Sequence, residues 1–107
     1  MKRGEVWWIN FDPSVGGEIR KKRPAVIVSN SAACKFLNIV QVEPITSNTE
    51  RLYPSEAYVT VKEKKGKAMA DQLTTVSKKR FIKKIGILDE YDLTQLAEAI
   101  KTQLELN

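Results

Sequence analysis

Four cations, Arg20, Lys21, Lys22 and Arg23, stand immediately before Pro24 and the apolar run Ala25–Val28. A strand that begins there puts residue 23 at the rim of the core, its backbone fixed by packing and its side chain in solvent. An arginine held this way is preorganised, because its planar fork can meet two oxygens at once. Two uses are open to it: a rim salt bridge to Glu18 or Glu5, or stabilisation of charge on a bound phosphoryl group. The chain has no histidine. Two-imidazole acid–base catalysis is therefore excluded, and the lone Cys34 has no imidazole to activate it. One Cys and no His also argue against a transition-metal site. Asp12, Glu18 and Asp71 are too scattered in sequence to form a magnesium motif. No metal and no cofactor is expected.

The elements that must position these residues follow from periodicity. At 107 residues, 42% of them hydrophobic, the chain is read as a single domain, 1–107. "EVWWINF" (5–11) alternates as a strand and ends at the turn signal Asp12-Pro13-Ser14. Trp7 and Trp8 must face opposite ways, one into the core and the other towards a base or a dimer interface. Further strands are expected at 25–30, at 39–46 with Pro44 marking an edge or bulge, and at 56–63. After a turn at "KKGK" (64–67), strands follow at 68–73 and 84–89. A short helical turn is expected near Ser77 to Phe81. Leu93, Leu96, Ala97, Ile100 and Leu104 form one helical stripe, with Asp89 as N-cap. Short strands followed by a terminal helix describe a small, strongly bent β-barrel with one open end covered.

Charge is unevenly spread. Residues 89–107 hold five acids (Asp89, Glu90, Asp92, Glu98, Glu105) against Lys101, a balance of −4. The 88 residues before them carry 17 bases against 8 acids, or +9, within a chain total of +5. A basic body suits a polyanionic partner. The unpaired Cys34 fits a reducing compartment, and Glu5, Asn10 and Asp12 interrupt any leader-like apolar run at the start. A cytoplasmic location without a membrane span is expected.

Four stretches stand in order: "RGEVWWINFDPSVGGEIRKKRPAVIVSN" at 3–30, "VEPITSN" at 42–48, "YPSEA" at 53–57 and "ADQLTTVSKKR" at 70–80. Together they resemble the MazF/PemK family of toxin endoribonucleases, or mRNA interferases. The family's G-x-E-x4-RP pattern stands here as Gly16-Gly17-Glu18 and Arg23-Pro24, and its strand-end threonine as Thr46. The resemblance implies an SH3-like barrel, a homodimer and metal-independent cleavage of single-stranded RNA at short motifs. It also implies an antitoxin whose acidic, flexible C-terminal part blocks the RNA groove.

Metal-free cleavage uses the RNA's own 2′-OH and leaves a 2′,3′-cyclic phosphate and a 5′-OH. The resemblance assigns phosphoryl stabilisation to Arg23 and a hydroxyl contact to Thr46. Glu18 either takes the 2′-OH proton or orients Arg23. Lys21 and Lys22 would meet phosphates, and Ser47, Asn48 and Gln72 base edges. Gly17 stands where Ser is frequent in the family, and Thr74 where a basic residue is frequent; both departures bear on the sequence cleaved. Lys78, Lys79, Arg80, Lys83 and Lys84 either extend the phosphate track or form a solvated face. The alternative to a nuclease is a non-enzymatic toxin of the same fold that binds DNA gyrase.

Overall fold

The computed structural model describes residues 1–13, 15–18 and 20–106; Ser14, the last residue of the expected turn, lies outside them. The strands are β1 (Glu5–Asn10), β2 (Lys22–Ile27), β3 (Ile39–Thr46), β4 (Glu56–Val61), β5 (Lys64–Met69), β6 (Thr74–Ser77) and β7 (Phe81–Ile87). The helices are α1 (Ser31–Phe36) and α2 (Glu90–Leu104), with 3-10 turns at Ala70–Gln72 and Lys78–Arg80. All pairings are antiparallel, in the order β4-β5-β3-β2-β1-β7, and β6 pairs with β3. Register shifts in the β1–β7 ladder curl this sheet into a half-barrel. The expected mainly β architecture with a C-terminal helix is what forms.

The sheet is covered on both faces. Val6, Val26, Ile45, Val59 and Leu96 belong to one core, to which α2 contributes. Ile9, Phe11, Ala25, Ile27, Cys34 and Val42 belong to the other, to which α1 and β6 contribute. Asp89 caps α2 by accepting from the Asp92 amide, and Asp92 Oδ2 accepts from Thr60 N at 2.9 Å, tying the helix to edge strand β4. Trp7 packs edge-on against Phe81, with ring centroids 5.5 Å apart, while Trp8 on the opposite face is 40% exposed.

Four local expectations are corrected. "KKGK" is strand, and the hairpin turn is Lys62-Glu63, both with positive φ, the two-residue geometry that matches strand twist. "AMADQL" leaves the sheet at Ala70 for a 3-10 turn. The second strand starts at Lys22 and ends at Ile27, after which Asn30 caps α1 by accepting from Ala33 N. Strand β6 was absent from the sequence reading, since "TTVS" is too short for a period to register. Pro44 sits where β3 changes partner, between its β6 ladder (39–42) and its β5 ladder (45–46), so its missing N–H interrupts neither.

Candidate functional site

The β2–β3 register pairs Ala25 with Pro44, Val26 with Glu43 and Ile27 with Val42. Two steps on in the same register stand Arg23 and Thr46, just beyond the paired residues. Thr46 in turn pairs with Lys67, and Lys67 with Tyr58. Paired residues share a face of a sheet. Arg23, Thr46, Lys67 and Tyr58 thus continue one row across four strands.

Within that row Arg23 pairs with no carboxylate among the described residues. Its Nε donates to the Arg20 carbonyl at 3.1 Å. The ion pairs among the described residues are Lys67–Glu56, Lys84–Glu5 and Lys101–Glu98. Glu5 is engaged elsewhere, accepting from Trp7 Nε1 and Lys84. Burial alone would raise the Glu5 pKa; those hydrogen bonds outweigh it and hold the carboxyl below its ordinary value. Thr46 Oγ1 accepts from Asn48 N at 3.2 Å. With an amide on its acceptor side, the hydroxyl keeps its own proton for a further acceptor.

Arg23, Thr46 and Ser47 also contribute to the wall of a groove of about 470 Å³. Its apolar lining is Trp8, Pro24, Ile45, Val61 and Ile85, with Lys62, Lys64 and Lys65 around them. Glu18 and Gln72 lie elsewhere, in a polar cleft with Asp71, Thr74 and Arg80. Glu18 accepts from Val15 N at 2.6 Å. The salt bridge to Arg23 is not formed. Lys21 has φ 65°, and its amide donates to Asp12 Oδ1 at 2.9 Å, which pins the loop between β1 and β2. Its side chain and that of Lys22 are exposed. Gly17 has open space where a Cβ would stand, so a serine there would fit. Among the described residues no three His, Cys, Asp or Glu side chains gather as a metal-binding group.

The basic run at 78–84 is partly structural. Lys78 donates to the Cys34 carbonyl, Arg80 to the Asn10 and Asp12 carbonyls, and Lys84 to Glu5. Lys79 and Lys83 are exposed. Cys34 is buried, its thiol pKa raised by burial, and it packs in the core beneath α1.

Sequence reasoning passed over Gly66 and Lys67. A Cβ on Gly66 would come within 2.8 Å of Ile45 Cγ2 and 2.9 Å of the Thr46 carbonyl. Glycine is therefore needed for strand approach, not for a turn. Gly66→Ala is expected to push Thr46 out of the row, costing about 1–3 kcal/mol in chemical denaturation. Lys67 is 5% exposed, bonded to Glu56 Oε1 at 2.9 Å and to the Arg51 carbonyl.

Comparison with known proteins bears on this geometry. The family of PemK-like, MazF-like toxins of type II toxin–antitoxin systems matches residues 2–104. Endoribonuclease MazF9 of Mycobacterium tuberculosis is 36% identical over 99% of this chain and 98% of its own. Endoribonuclease EndoA of Bacillus subtilis is 27% identical over 99% of this chain and 96% of its own. Crystalline MazF of Deinococcus radiodurans superposes with a TM-score of 0.87 at 23% identity, covering 99% of this chain and 97% of its own. A mycobacterial endoribonuclease solved with its cognate antitoxin gives 0.84 at 22% identity, over 100% and 97% of the two chains. The chain belongs to the PemK-like, MazF-like family of toxins of type II toxin–antitoxin systems.

Proposed function

We propose that this chain, as one toxin domain over 1–107, is a metal-independent endoribonuclease that cleaves single-stranded RNA and is restrained by an acidic antitoxin. The observation that carries this reading is Arg23: a guanidinium paired with no carboxylate among the described residues, in register with Thr46, whose hydroxyl proton is uncommitted. Relatives named as endoribonucleases favour cleavage over the gyrase-binding alternative.

In this mechanism the 2′-oxygen forms a bond to phosphorus as the bond to the 5′-oxygen breaks. Arg23 places its fork on the non-bridging oxygens, and Thr46 donates to one of them. Both interactions strengthen as negative charge builds on those oxygens. Arg23 also donates a hydrogen bond to the departing 5′-oxygen, which takes its proton from water while the guanidinium stays charged. Arg20 and not Glu18 holds Arg23, which leaves acceptance of the 2′-OH proton as the role proposed for Glu18. Lys21 and Lys22 track phosphates, while Ser47, Asn48 and Gln72 read base edges and Gly17 admits the backbone closely.

An acidic antitoxin segment suits the +9 carried by residues 1–88. Relatives of this fold from mycobacteria and Deinococcus radiodurans were solved with antitoxins. The half-exposed Trp8 suits a homodimer, and an RNA-directed toxin acts in the cytoplasm. Among the described residues no helix is long and apolar enough to cross a membrane.

The test is incubation with long single-stranded RNA in excess chelator, with the cut ends mapped. Cuts at one short motif bearing cyclic phosphate are expected. Intact RNA from folded protein would overturn the reading.

A further inference from the structure

We propose that the polar cleft on the far side of Thr46 is a guanine subsite of the RNA track. This rests on the RNA-cleaving reading and goes beyond it by naming a base. The cleft encloses about 360 Å³ and is lined by Asn48, Glu50, Arg51, Tyr53 and Lys67. It adjoins the proposed chemistry twice over: Lys67 is the register partner of Thr46, and Asn48 N donates to Thr46 Oγ1. A nucleotide seated there is a neighbour of the scissile phosphate.

The cleft is a built structure. Lys67 forms its floor, buried and fixed by Glu56 Oε1 and by the Arg51 carbonyl. Glu56 Oε1 also accepts from Tyr53 N at 2.9 Å, so one buried ion pair sets the backbone of both Arg51 and Tyr53. Tyr53 is 51% exposed, an aromatic surface that gains most by being covered. Arg51 stands 5.8 Å from the centre of that ring, with Nη1 donating to Tyr53 Oη at 3.4 Å. An unstacked base needs such a platform, and a neighbouring guanidinium adds a cationic edge.

Base identity follows from the polar groups. Asn48 Oδ1 accepts from Glu50 N at 3.2 Å, which leaves the Asn48 amino group as the donor. The Glu50 carboxylate is an exposed acceptor outside every ion pair among the described residues. A carboxylate beside an amide donor complements two adjacent N–H groups next to a carbonyl. Guanine presents that edge, with N1–H, N2–H₂ and O6; uracil and cytosine do not present two N–H donors side by side, and adenine has no carbonyl. A phosphate here is disfavoured by Glu50.

The experiment measures both cutting and binding. Cleavage of long single-stranded RNA in chelator is mapped for the wild type, Tyr53→Ala and Glu50→Gln. Binding of a 2′-deoxy-blocked copy of the cut motif is measured beside it. The cut motif is expected to contain an invariant guanine. Tyr53→Ala is expected to slow cutting about tenfold or more, from lost stacking. Glu50→Gln is expected to relax the choice of base at that one position. Inosine in place of the guanine should weaken wild-type binding but not that of Glu50→Gln. Both variants alter exposed side chains, so thermal unfolding should stay at the wild-type temperature. A motif without guanine, or unchanged rates and motif in both variants, overturns the subsite and leaves the nuclease standing. Guanine-dependent binding without cutting keeps the subsite and overturns the nuclease. Neither binding nor cutting overturns both.

Discussion

Arg23→Ala is expected to reduce RNA cleavage by at least about 10³-fold with no change in fold. Loss of one preorganised donor to a developing oxyanion costs about 10²–10³ in rate, and in the proposed mechanism the guanidinium supplies more than one such bond. Structurally the side chain does little else: among the described residues its hydrogen bond is to the Arg20 carbonyl, and it is exposed. Stability should stay within about 0.5 kcal/mol of the wild type, as for ordinary surface substitutions. Arg23→Lys separates charge from shape. A lysine keeps the cation but cannot make the fork, so it should recover only part of the rate. Thr46→Val keeps the shape and removes the hydroxyl, at a cost of about 10²-fold, whereas Thr46→Ser keeps the donor and should retain most activity. Single-turnover rates on one mapped site decide the matter. Wild-type cutting by Arg23→Ala would remove Arg23 from the chemistry altogether.

That Arg23 was legible in the sequence, and Lys67 was not, has a physical basis. Arg23 stands at a boundary where charge meets an apolar run, and such boundaries survive any error in strand limits. Its alignment with Thr46 depends on the β2–β3 register, a long-range property that no local window contains. Lys67 looked like part of a turn because "KKGK" combines glycine with solvating residues. The true turn, Lys62-Glu63, uses two non-glycine residues at positive φ, against local preference. Helix α2 was the easiest element to read, because its cap and its stripe are both local. Glu18 shows the reverse case. Five residues from Arg23 suggested a pair, yet the intervening loop carries Glu18 into the cleft of Gln72 and Asp71. Sequence distance is a poor guide wherever a loop leaves and re-enters a sheet.

Glu43 was hidden by alternation itself. In "IVQVEPIT" it falls at a polar position, and a sheet with one wet face would send it to solvent. Here both faces are covered, so Glu43 is 0% exposed and neither carboxylate oxygen has a hydrogen-bond partner among the described residues. Desolvation pushes its pKa up from 4.5 to about 8; Arg3 opposes the rise and Asp71 adds to it. Between those two values the folded chain keeps a proton that the unfolded chain has released. Stability is therefore greatest below about pH 4.5 on this account and is lost as pH rises through about 8. The slope approaches about 1.4 kcal/mol per pH unit, and the full effect is on the order of a few kcal/mol. Glu43→Gln removes the titration while keeping size and polarity. Denaturation midpoints measured at pH 5, 6.5 and 8 should fall steeply for the wild type and much less for Glu43→Gln, with the variant the more stable at pH 8. Because Glu43 lies three residues before Thr46 on β3, loss of its proton loads the strand that presents the proposed catalytic hydroxyl. Cleavage by the wild type should then decline above pH 8 sooner than cleavage by Glu43→Gln. Parallel stability curves for the two proteins would mean that Glu43 is not held as a neutral acid in the core.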